Sequence, residues 1–461
     1  MKNKKGISLI VLIITIIIVI VLAAVVILTL SKNNPVTGAN EATFKSDIRS
    51  FQEELSMYIS KEIIKDYSGT REKLETPDLP SKENMKKYVS SFSKKYENKI
   101  GIYEDEIVYY KPKEDVKNKV TEKEEKWLQD LGIKLKTIQF EWGSDDPNTP
   151  AYHTLVKYIG DENEVVVPKR CHEIGSKAFK GSSVKSVVLQ EGVIYIGTNS
   201  FEDCYYLAKI TLPNSLTSIG SFAFSGCRSL NSIKLSPNIR AINSCAFFSC
   251  PNLEEVILPD NLFGIHNEAF KSCTKLKNIT LPETVGYLGK SAFYNSGIQS
   301  INIPANLINI EEGSFSECKN LISINVDNNN PCWTDVDGVL YSKDKTILKQ
   351  FPAGKSGSYS VLNETTNIEN NAFYGCDKLE YVTLQENVTK IGSYCFNLCT
   401  NLQKINIPLS VESMGAWAIG YCNKVVINCE IEEENLPEGW SKTWNPYNRP
   451  VNWGVENLIY K

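Results

Sequence analysis

Residues 219–241 read IGSFAFSGCRSLNSIKLSPNIRA, and a unit of the same pattern recurs along the second half of the chain. Neighbouring units open 22 or 23 residues apart, except for one step of 58 residues. The opening residues are Ile174, Ile196, Ile219, Ile242, Ile265, Leu288, Ile310, Ile368, Ile391 and Met414. A fixed period of this size predicts a solenoid, in which stacked units share one continuous core.

The apolar residues inside one unit predict its local structure. Ile233 and Leu235 alternate with polar residues, which is the period of a β-strand. Pro237 cannot donate to a ladder, so the strand should end there. We therefore predict one short strand per unit, then a bend, then a return arm that carries Ala-Phe and Cys.

The repeated motifs resemble the BspA-type leucine-rich repeat of bacterial surface proteins. The resemblance rests on IGSFAFSGC (219–227), IENNAFYGC (368–376) and IGSYCFNLC (391–399), and it covers roughly residues 165–430. It implies a leucine-rich repeat solenoid that offers a broad surface for protein binding or adhesion, as a repeat array does.

Two units depart from the pattern. Those that open at Ile174 and Leu288 are one residue short, and they carry Ser182 and Ser296 near the place of the repeated cysteine. We expect a slightly tighter turn in both units.

The long step between Ile310 and Ile368 adds 35 residues to one unit. Within this insertion, VDGVLYSKDKTILKQFPAG (336–354) has two alternating apolar runs that flank Ser342–Lys345, which is the pattern of a hairpin. We predict that the hairpin, near 327–362, packs on the side of the solenoid. The nearby sequences DNNN and DVDG could instead indicate a calcium-binding loop. We favour the hairpin, because their spacing lacks the closing glutamate of such a loop.

Residues 7–30 read ISLIVLIITIIIVIVLAAVVILTL and carry no charge. As a helix at roughly 1.5 Å per residue they would extend about 36 Å, enough to cross a hydrocarbon core of about 30 Å. This composition predicts a membrane helix. Three lysines precede it and only Lys32 closely follows it. The positive-inside rule then predicts a cytoplasmic N-terminus and an extracellular bulk of the chain at the cell surface.

The leader MKNKKG followed by this helix resembles a type IV prepilin. The resemblance implies that prepilin peptidase cuts between Gly6 and Ile7 and methylates the new amino end. Pilins usually carry a glutamate at the fifth mature position, where this chain has Val11. In a filament that carboxylate neutralises a neighbouring amino terminus, so its absence counts against filament assembly but not against anchoring. The plain alternative is an uncleaved signal anchor.

Residues 36–136 are rich in Lys and Glu and predict a small α+β stalk domain. Apolar residues recur at helical spacing within 44–63 and again within 82–98, which predicts two helices. KIGIYEDEIVYYK (99–111) predicts a hairpin with its turn at Glu104–Glu106.

A third helix of this region is predicted to begin at Thr121 and to end before Gly132. Glu124 completes a capping box with Thr121. Lysine pairs such as Lys86 and Lys87 are interpreted as a solvated helix face and not as a nucleic-acid or lipid site.

Charge and cysteine content limit the classes of function. The chain has 50 basic and 54 acidic side chains, so no nucleic acid or other strong polyelectrolyte is an expected partner. Side chains on stacked turns run parallel and do not point at one another as a disulfide requires. We predict that the repeated cysteines are free thiols that fill the core and bind no zinc. The eight that share one repeat position are Cys204, Cys227, Cys250, Cys273, Cys318, Cys376, Cys399 and Cys422.

No motif predicts catalysis or a cofactor. His153, His172 and His266 lie in different places in the sequence. No serine stands in a nucleophile-elbow motif, and no glycine loop for phosphate is present. We therefore predict that the protein is not an enzyme, with a hydrolase in residues 36–136 as the remote alternative.

The C-terminal segment concentrates aromatic residues at Trp440, Trp444, Tyr447 and Trp453. Such a cluster can form a sugar platform, or it can plug the open end of a solenoid, and we favour the cap. The predicted parts of the chain are the leader and membrane helix (1–35), the stalk (36–136), the solenoid (137–434) and the aromatic cap (435–461).

The residues before and between the apolar pair of each predicted strand should face outward. They form two columns, Lys209, Ser232, Glu255, Asn278, Ser300, Ser323, Tyr381 and Lys404 beside Thr211, Lys234, Ile257, Thr280, Asn302, Asn325, Thr383 and Asn406. Short polar residues suit any solvated sheet, which is the plain interpretation. Ile257 and Tyr381 are exceptions, and they favour recognition of a partner.

Together these features predict a membrane-anchored surface protein whose repeat array binds an extracellular protein or a ligand on a host or neighbouring cell. The alternative is a minor pilin-like structural subunit of a surface filament or secretion apparatus.

The leader yields a first testable prediction. If prepilin peptidase processes the chain, the mature protein begins at Ile7. Peptide mass spectrometry of membrane fractions should then find a methylated Ile7 terminus. Intact Met1 in the major species would identify an ordinary signal anchor.

Overall fold

The computed structural model describes residues 35–65, 85–96, 99–103, 106–110, 121–136, 140–142, 153–169 and 171–456. The chain divides into two compact units, Met1–Phe140 and Glu141–Lys461. The predicted membrane helix at 7–30 and the Gly6–Ile7 cleavage site lie outside the described residues. Of the helices within the described ranges, none is both long and apolar enough to cross a bilayer.

The first unit combines helices with a three-stranded sheet. Its elements are α1 (Pro35–Lys65), a 3-10 helix (Lys94–Tyr96), β1 (Ile100–Tyr103), β2 (Glu106–Tyr110), α2 (Glu122–Asp130) and β3 (Lys134–Lys136). β1 and β2 form an antiparallel hairpin at the predicted place, and β3, which was not predicted, pairs parallel to β2. The buried core contains Phe44, Ile48, Phe51, Leu55, Met85, Val89, Phe92, Tyr96, Ile100, Ile102, Ile107, Tyr109, Leu128 and Ile133.

The helix predicted over 82–98 is not continuous. The described residues 85–96 form turns followed by the 3-10 helix, although Met85 and Phe92 are buried as the spacing predicted. The Glu54 carboxylate accepts hydrogen bonds from the Ser90 hydroxyl at 2.7 Å and the Ser91 N–H at 3.1 Å. Because this tertiary contact takes a backbone donor that a helix would use, the segment turns instead.

The capping box predicted for α2 is present. The Glu124 carboxylate accepts from the Thr121 N–H at 2.8 Å, and the Glu124 N–H donates to the Thr121 hydroxyl at 3.3 Å. Lys99 forms an ion pair with the same carboxylate at 2.9 Å. Burial opposes ionisation of Glu124, but the bonds from Thr121 and Lys99 outweigh it, so the pKa of Glu124 is lowered.

The second unit is a solenoid built almost entirely of short strands. Its strands are β4 (Phe140–Trp142), β5 (His153–Tyr158), β6 (Glu164–Val166), β7 (Cys171–Ile174), β8 (Ser186–Val188), β9 (Tyr195–Ile196), β10 (Lys209–Thr211), β11 (Ser218–Ile219), β12 (Ser232–Lys234), β13 (Ala241–Ile242), β14 (Glu255–Ile257), β15 (Gly264–Ile265), β16 (Tyr287–Leu288), β17 (Ser300–Ile303), β18 (Asn309–Ile310), β19 (Ser323–Val326), β20 (Trp333–Val336), β21 (Val339–Ser342), β22 (Ile347–Gln350), β23 (Gly357–Ser360), β24 (Asn367–Ile368), β25 (Leu379–Thr383), β26 (Lys390–Ile391), β27 (Lys404–Ile407), β28 (Ser413–Met414), β29 (Val426–Cys429), β30 (Gly439–Trp440) and β31 (Val451–Asn452). A short 3-10 helix (Glu433–Asn435) precedes β30.

Most units contribute two strands, so the prediction of one strand per unit was wrong. One strand ends on the opening residue and pairs with its counterpart in the next unit, as Ile196 does with Ile219. The other is the predicted strand, as in the parallel pair β12 and β14. The opening strands usually have only two residues, too few to show the alternation from which a strand is predicted.

The arc between the two strands is also hydrogen-bonded from one unit to the next. The Phe222 N–H donates to the Ser244 carbonyl at 3.0 Å, and the Gly226 N–H donates to the Phe248 carbonyl at 2.8 Å. Both donors have left-handed backbone, with φ of 58° and 74°. The third and seventh residues after the opening residue share this conformation in most units. Each coil of chain is thereby bonded to its neighbour outside the strands as well as within them.

Two columns of side chains fill the core of the arc. The ring centroids of stacked phenylalanines lie 4.7–5.9 Å apart along Phe179, Phe201, Phe224, Phe247, Phe270, Phe293 and Phe315. The eight repeated cysteines lie beside them, and each thiol donates to the carbonyl of the stacked phenylalanine in the preceding coil, at 2.9–3.9 Å. None of the thirteen cysteines, all of which lie in the described range, forms a disulfide. The thiols therefore fill the core, as predicted, and also hold it through hydrogen bonds that the sequence did not indicate.

The two shortened units differ from the complete units in the connection that follows the arc. In the complete unit, residues 228–229 form a turn between Cys227 and Leu230. In the units that open at Ile174 and Leu288 this turn is absent. Residues 183–185 and 297–299 connect Ser182 and Ser296 to the next strand.

The insertion forms a three-stranded meander. β20, β21 and β22 pair antiparallel, and the turn between β21 and β22 lies at the predicted position near Ser342–Lys345. β22 then pairs parallel with β24. The insertion therefore continues one sheet of the solenoid through β22, which the sequence did not indicate, and its β20–β21 turn also lies against β19. The Asp335 carboxylate on β20 accepts a hydrogen bond from the Val326 N–H on β19 at 2.8 Å. The Asp327 carboxylate accepts one from the Asn329 N–H at 2.8 Å and stabilises a turn.

The tryptophans of the C-terminal segment close the core. Trp440 pairs in register with Met414, and its indole N–H donates to a backbone carbonyl. Trp444 packs edge-on against Trp440 and Trp453, at 5.2 and 6.3 Å. Tyr447 differs, because it is 40% exposed and lies outside this core.

The thiol hydrogen bonds give a stability prediction. Cys250→Ala removes the bond to the Phe224 carbonyl and leaves a small cavity, so it should lower the free energy of unfolding by about 1–2 kcal/mol. Cys250→Ser keeps a donor near that carbonyl and should cost less. Denaturant unfolding of both variants compares them. A larger loss for serine would show that the thiol acts only as apolar filler.

Burial also predicts how the thiols react. It raises the pKa of Cys250 to about 12 and the pKa of Cys273 well above its usual value, so almost no thiolate forms at pH 8. Cys332 is exposed. Native protein treated briefly with N-ethylmaleimide at pH 8 should carry one adduct, on Cys332, whereas denatured protein should carry thirteen. Modification of Cys250 in the native protein would contradict the buried ladder.

Candidate functional site

The outward residues of the predicted strands form a surface that we call the strand face. It comprises the two columns that begin at Lys209 and Thr211, and it lies on β10, β12, β14, β17, β19, β25 and β27 together with residues 278–280. In β10, β12 and β14 the central residue is buried and its two neighbours are exposed, as strand alternation predicted. The strand face therefore presents most of the predicted residues to solvent.

Several predicted residues are not free to bind a partner. Asn406 is only 6% exposed, and its side-chain carbonyl accepts from the Asn428 amide at 3.1 Å. A separate asparagine pair joins Asn325 on β19 to Asn302 on β17 at 3.0 Å, but both of these side chains stay exposed. Sequence alternation placed Asn406 outward, but its position between neighbouring strands buries it. Stacked asparagines thus hold adjacent strands together, as amide ladders do.

The strand face is interrupted between two units. Asn278 and Thr280 are exposed as predicted, but they do not lie in a strand. Within the described range 171–456, no backbone hydrogen bond joins residues 254–258 to residues 277–281. Buried Ile279 still anchors the segment to the core, at 7% exposure. The ladder of the strand face is therefore open here, as it also is between β10 and β12, which belong to separate sheets.

A surface cavity of about 460 Å³ occupies this interruption. It is lined by Glu254, Glu255, Val256, Ile257, Leu258, Asp260, Asn278, Ile279, Thr280 and Pro282. Four of these residues belong to the predicted columns. Of the carboxylates that line the cavity, Glu254 alone forms an ion pair within the described residues. Its partner is Lys275, at 3.6 Å, and both side chains are exposed. The cavity thus combines an apolar floor with an acidic rim.

Ile257 and Tyr381 stand out on the strand face. Ile257 is 46% exposed at the border of the cavity, and Tyr381 is 40% exposed on β25. The Tyr381 hydroxyl donates to the Gln403 side chain at 3.0 Å, which orients the ring. Large apolar surface held in place on a polar face is typical of contact residues in protein interfaces.

The insertion divides the strand face into two stretches. The Ile324 N–H donates to the Gly338 carbonyl at 2.9 Å, so the turn between β20 and β21 lies against β19. A β-carbon at Gly338, which has φ of 76°, would come within 2.7 Å of Ser323. Ser323 is accordingly only half-exposed, and the sequence had no signal for this contact.

Two of the three histidines lie on neighbouring strands. His153 and His172 lie on the paired strands β5 and β7, closer than the sequence suggested, whereas His266 lies four units further along, 5.4 Å from the Tyr287 ring. Among the described side chains, no group of three or more His, Cys, Asp or Glu is placed to hold a metal ion.

Comparison with known proteins agrees with this architecture. The family model for the BspA type leucine rich repeat region matches residues 158–264, 240–335 and 355–438. No curated protein matches the chain.

Solved structures provide a second comparison. A leucine rich cell surface protein from Faecalibacterium prausnitzii is 20% identical, with a TM-score of 0.50 over 68% of this chain and 95% of that one. The pneumococcal vaccine antigen PcpA is also 20% identical, with a TM-score of 0.47 over 63% and 79% of the two chains. A leucine-rich repeat protein from Eubacterium ventriosum is 22% identical, with a TM-score of 0.43 over 59% and 75%. At these identities the first similarity supports the fold alone.

Proposed function

Since this chain belongs to the BspA-type leucine-rich repeat family, we propose that it is a cell-surface protein that binds an extracellular protein through its strand face. The partner is a protein of the surroundings, or a protein ligand on a host or neighbouring cell. The F. prausnitzii protein of similar fold is described as a cell surface protein. No cofactor or catalytic step enters the proposal.

The observation that carries the proposal is the exposure of Ile257 beside the cavity, with Tyr381 further along the same face. An apolar side chain of the partner can fill the cavity between Ile257 and Thr280 and contact the exposed side of Ile257. The acidic rim at Glu254 and Asp260 favours a partner with basic residues near that side chain.

The membrane helix at 7–30 completes the proposal. It anchors the chain with its N-terminus in the cytoplasm before processing and its repeats outside. Prepilin peptidase acts at Gly6–Ile7, and residues 36–136 serve as a stalk between membrane and repeats.

The alternative is a minor pilin-like subunit, and the leader favours it. Crosslinking in intact cells separates the two functions. A filament subunit should give ladders of self-adducts through residues 36–136, whereas a surface receptor should give adducts with a different protein. Val11 in place of the pilin glutamate favours the receptor.

A pulldown with the chain from residue 36 onward identifies the partner, and two substitutions test the site. Ile257→Asp and Tyr381→Asp together should weaken binding of that partner at least about a hundredfold, because each removes an exposed contact residue. The melting temperature should change by less than about 2 °C, since both side chains are partly solvated.

Phe263→Asp provides the matched control. Phe263 is 66% exposed but lies beside the opening strands and not on the strand face. Its substitution should leave binding unchanged. Binding that survives the double substitution would exclude the strand face and favour the insertion at 336–354.

A further inference from the structure

Four aromatic side chains cluster on the outside of the last coils, and we call them the aromatic patch: Tyr394, Trp417, Tyr421 and Tyr447. The Tyr394 and Trp417 rings stack at 6.2 Å and 20°. Tyr447 lies 5.8 Å from Trp417, edge-on, and 4.8 Å from Tyr421. The three tyrosines are 40–44% exposed. The four rings thus form one solvent-facing surface.

The backbone beneath the patch does not favour aromatic residues. Tyr394, Trp417 and Tyr421 have φ of 55°, 58° and 53°. Bulky side chains adopt this left-handed conformation at a cost that glycine and asparagine largely avoid. Equivalent positions in other units hold Asn371 and Gly313, so the coil itself does not require aromatic rings there.

The aromatic patch is separate from the cap. Trp440 and Trp444 are 8% and 9% exposed and belong to the core. Tyr447 is the one member of the predicted C-terminal cluster that joins the patch instead. The buried tryptophans and the exposed Tyr447 therefore have different surroundings.

One cation borders the aromatic patch. The Arg449 guanidinium lies 5.3 Å from the centre of the Tyr447 ring and donates to the Asn423 side chain at 2.8 Å. None of the described carboxylates lies within ion-pairing distance of it, and its buried Nε has no hydrogen-bond partner. The patch therefore offers partly exposed aromatic rings with a positive charge at one edge that no described carboxylate pairs with.

We propose that the aromatic patch binds a uronic-acid residue of a glycan. In a β-glucuronic acid every ring C–H is axial, so both faces of the pyranose are apolar and flat, and the carboxylate lies at the edge. The apolar face of the sugar packs on the exposed tyrosines, which Trp417 holds in place, and the carboxylate pairs with Arg449, whose planar guanidinium suits a carboxylate. The tyrosine hydroxyls and Asn423 are available to the sugar hydroxyls. This site is independent of the strand face.

A matched pair of sugars tests the proposal. The full-length chain, purified in detergent, is passed over polyacrylamide conjugates of β-glucuronide and of β-glucoside, which differ only in the carboxylate. We expect the glucuronide conjugate to bind at least about tenfold more tightly, and free methyl β-glucuronide to compete. Equal binding of the two conjugates, or binding of neither, would overturn the proposal.

Substitutions separate the role of the aromatic rings from the role of Arg449. Trp417→Asn should abolish binding of both conjugates, whereas Arg449→Gln should remove the preference for glucuronide and Arg449→Lys should retain most of it. Retained preference in Arg449→Gln would contradict the proposal.

The repeat supplies controls for folding. Trp417→Asn introduces the residue that stands at the equivalent position 371, so the melting temperature should not fall. Phe222→Asn changes an exposed aromatic at the same repeat position in another unit, outside the patch, and should leave sugar binding unchanged. Loss of binding in Phe222→Asn at full stability would show that the patch is not the site.

Discussion

The structure of the solenoid depends on one requirement, that the main chain of each coil finds its hydrogen-bond partners in the next coil. In a helix or a hairpin these partners are local, but here the Phe222 and Gly226 N–H groups reach the following unit. Coils can meet this requirement only if they superpose. The constant period, the left-handed residues and the columns of phenylalanine and cysteine follow from it, because equivalent positions must recur at equivalent places.

Local rules explain which elements could be predicted. The period of 22 or 23 residues, the turn near Ser342–Lys345 and the Thr121 capping box each arise from a short stretch of sequence. The elements that were missed or wrong depend on distant partners. The opening strands exist only because the next unit pairs with them, and the 82–98 segment turns because Glu54 takes its donors.

The same contrast between local rules and distant contacts applies to the candidate site. Alternation was sufficient to place Ile257 and Tyr381 outward, because each lies one residue from a buried position. It could not show that Asn406 is covered by its neighbours or that the ladder opens at residues 277–281. Both features are determined by how neighbouring units pack against each other. The aromatic patch was missed for a similar reason, since Tyr394, Trp417, Tyr421 and Tyr447 come together only when three coils are stacked.

The thiol column has a consequence for where such a chain can fold. Proteins that leave the cell often rely on disulfides, and then they need an oxidant and an isomerase to reach the native state. Here twelve cysteines are buried as thiols that donate hydrogen bonds or pack, and no covalent bond must form between coils. The folded solenoid would be the same in a reducing cytoplasm and in oxidising surroundings. Export of the chain therefore need not be coupled to a redox machinery.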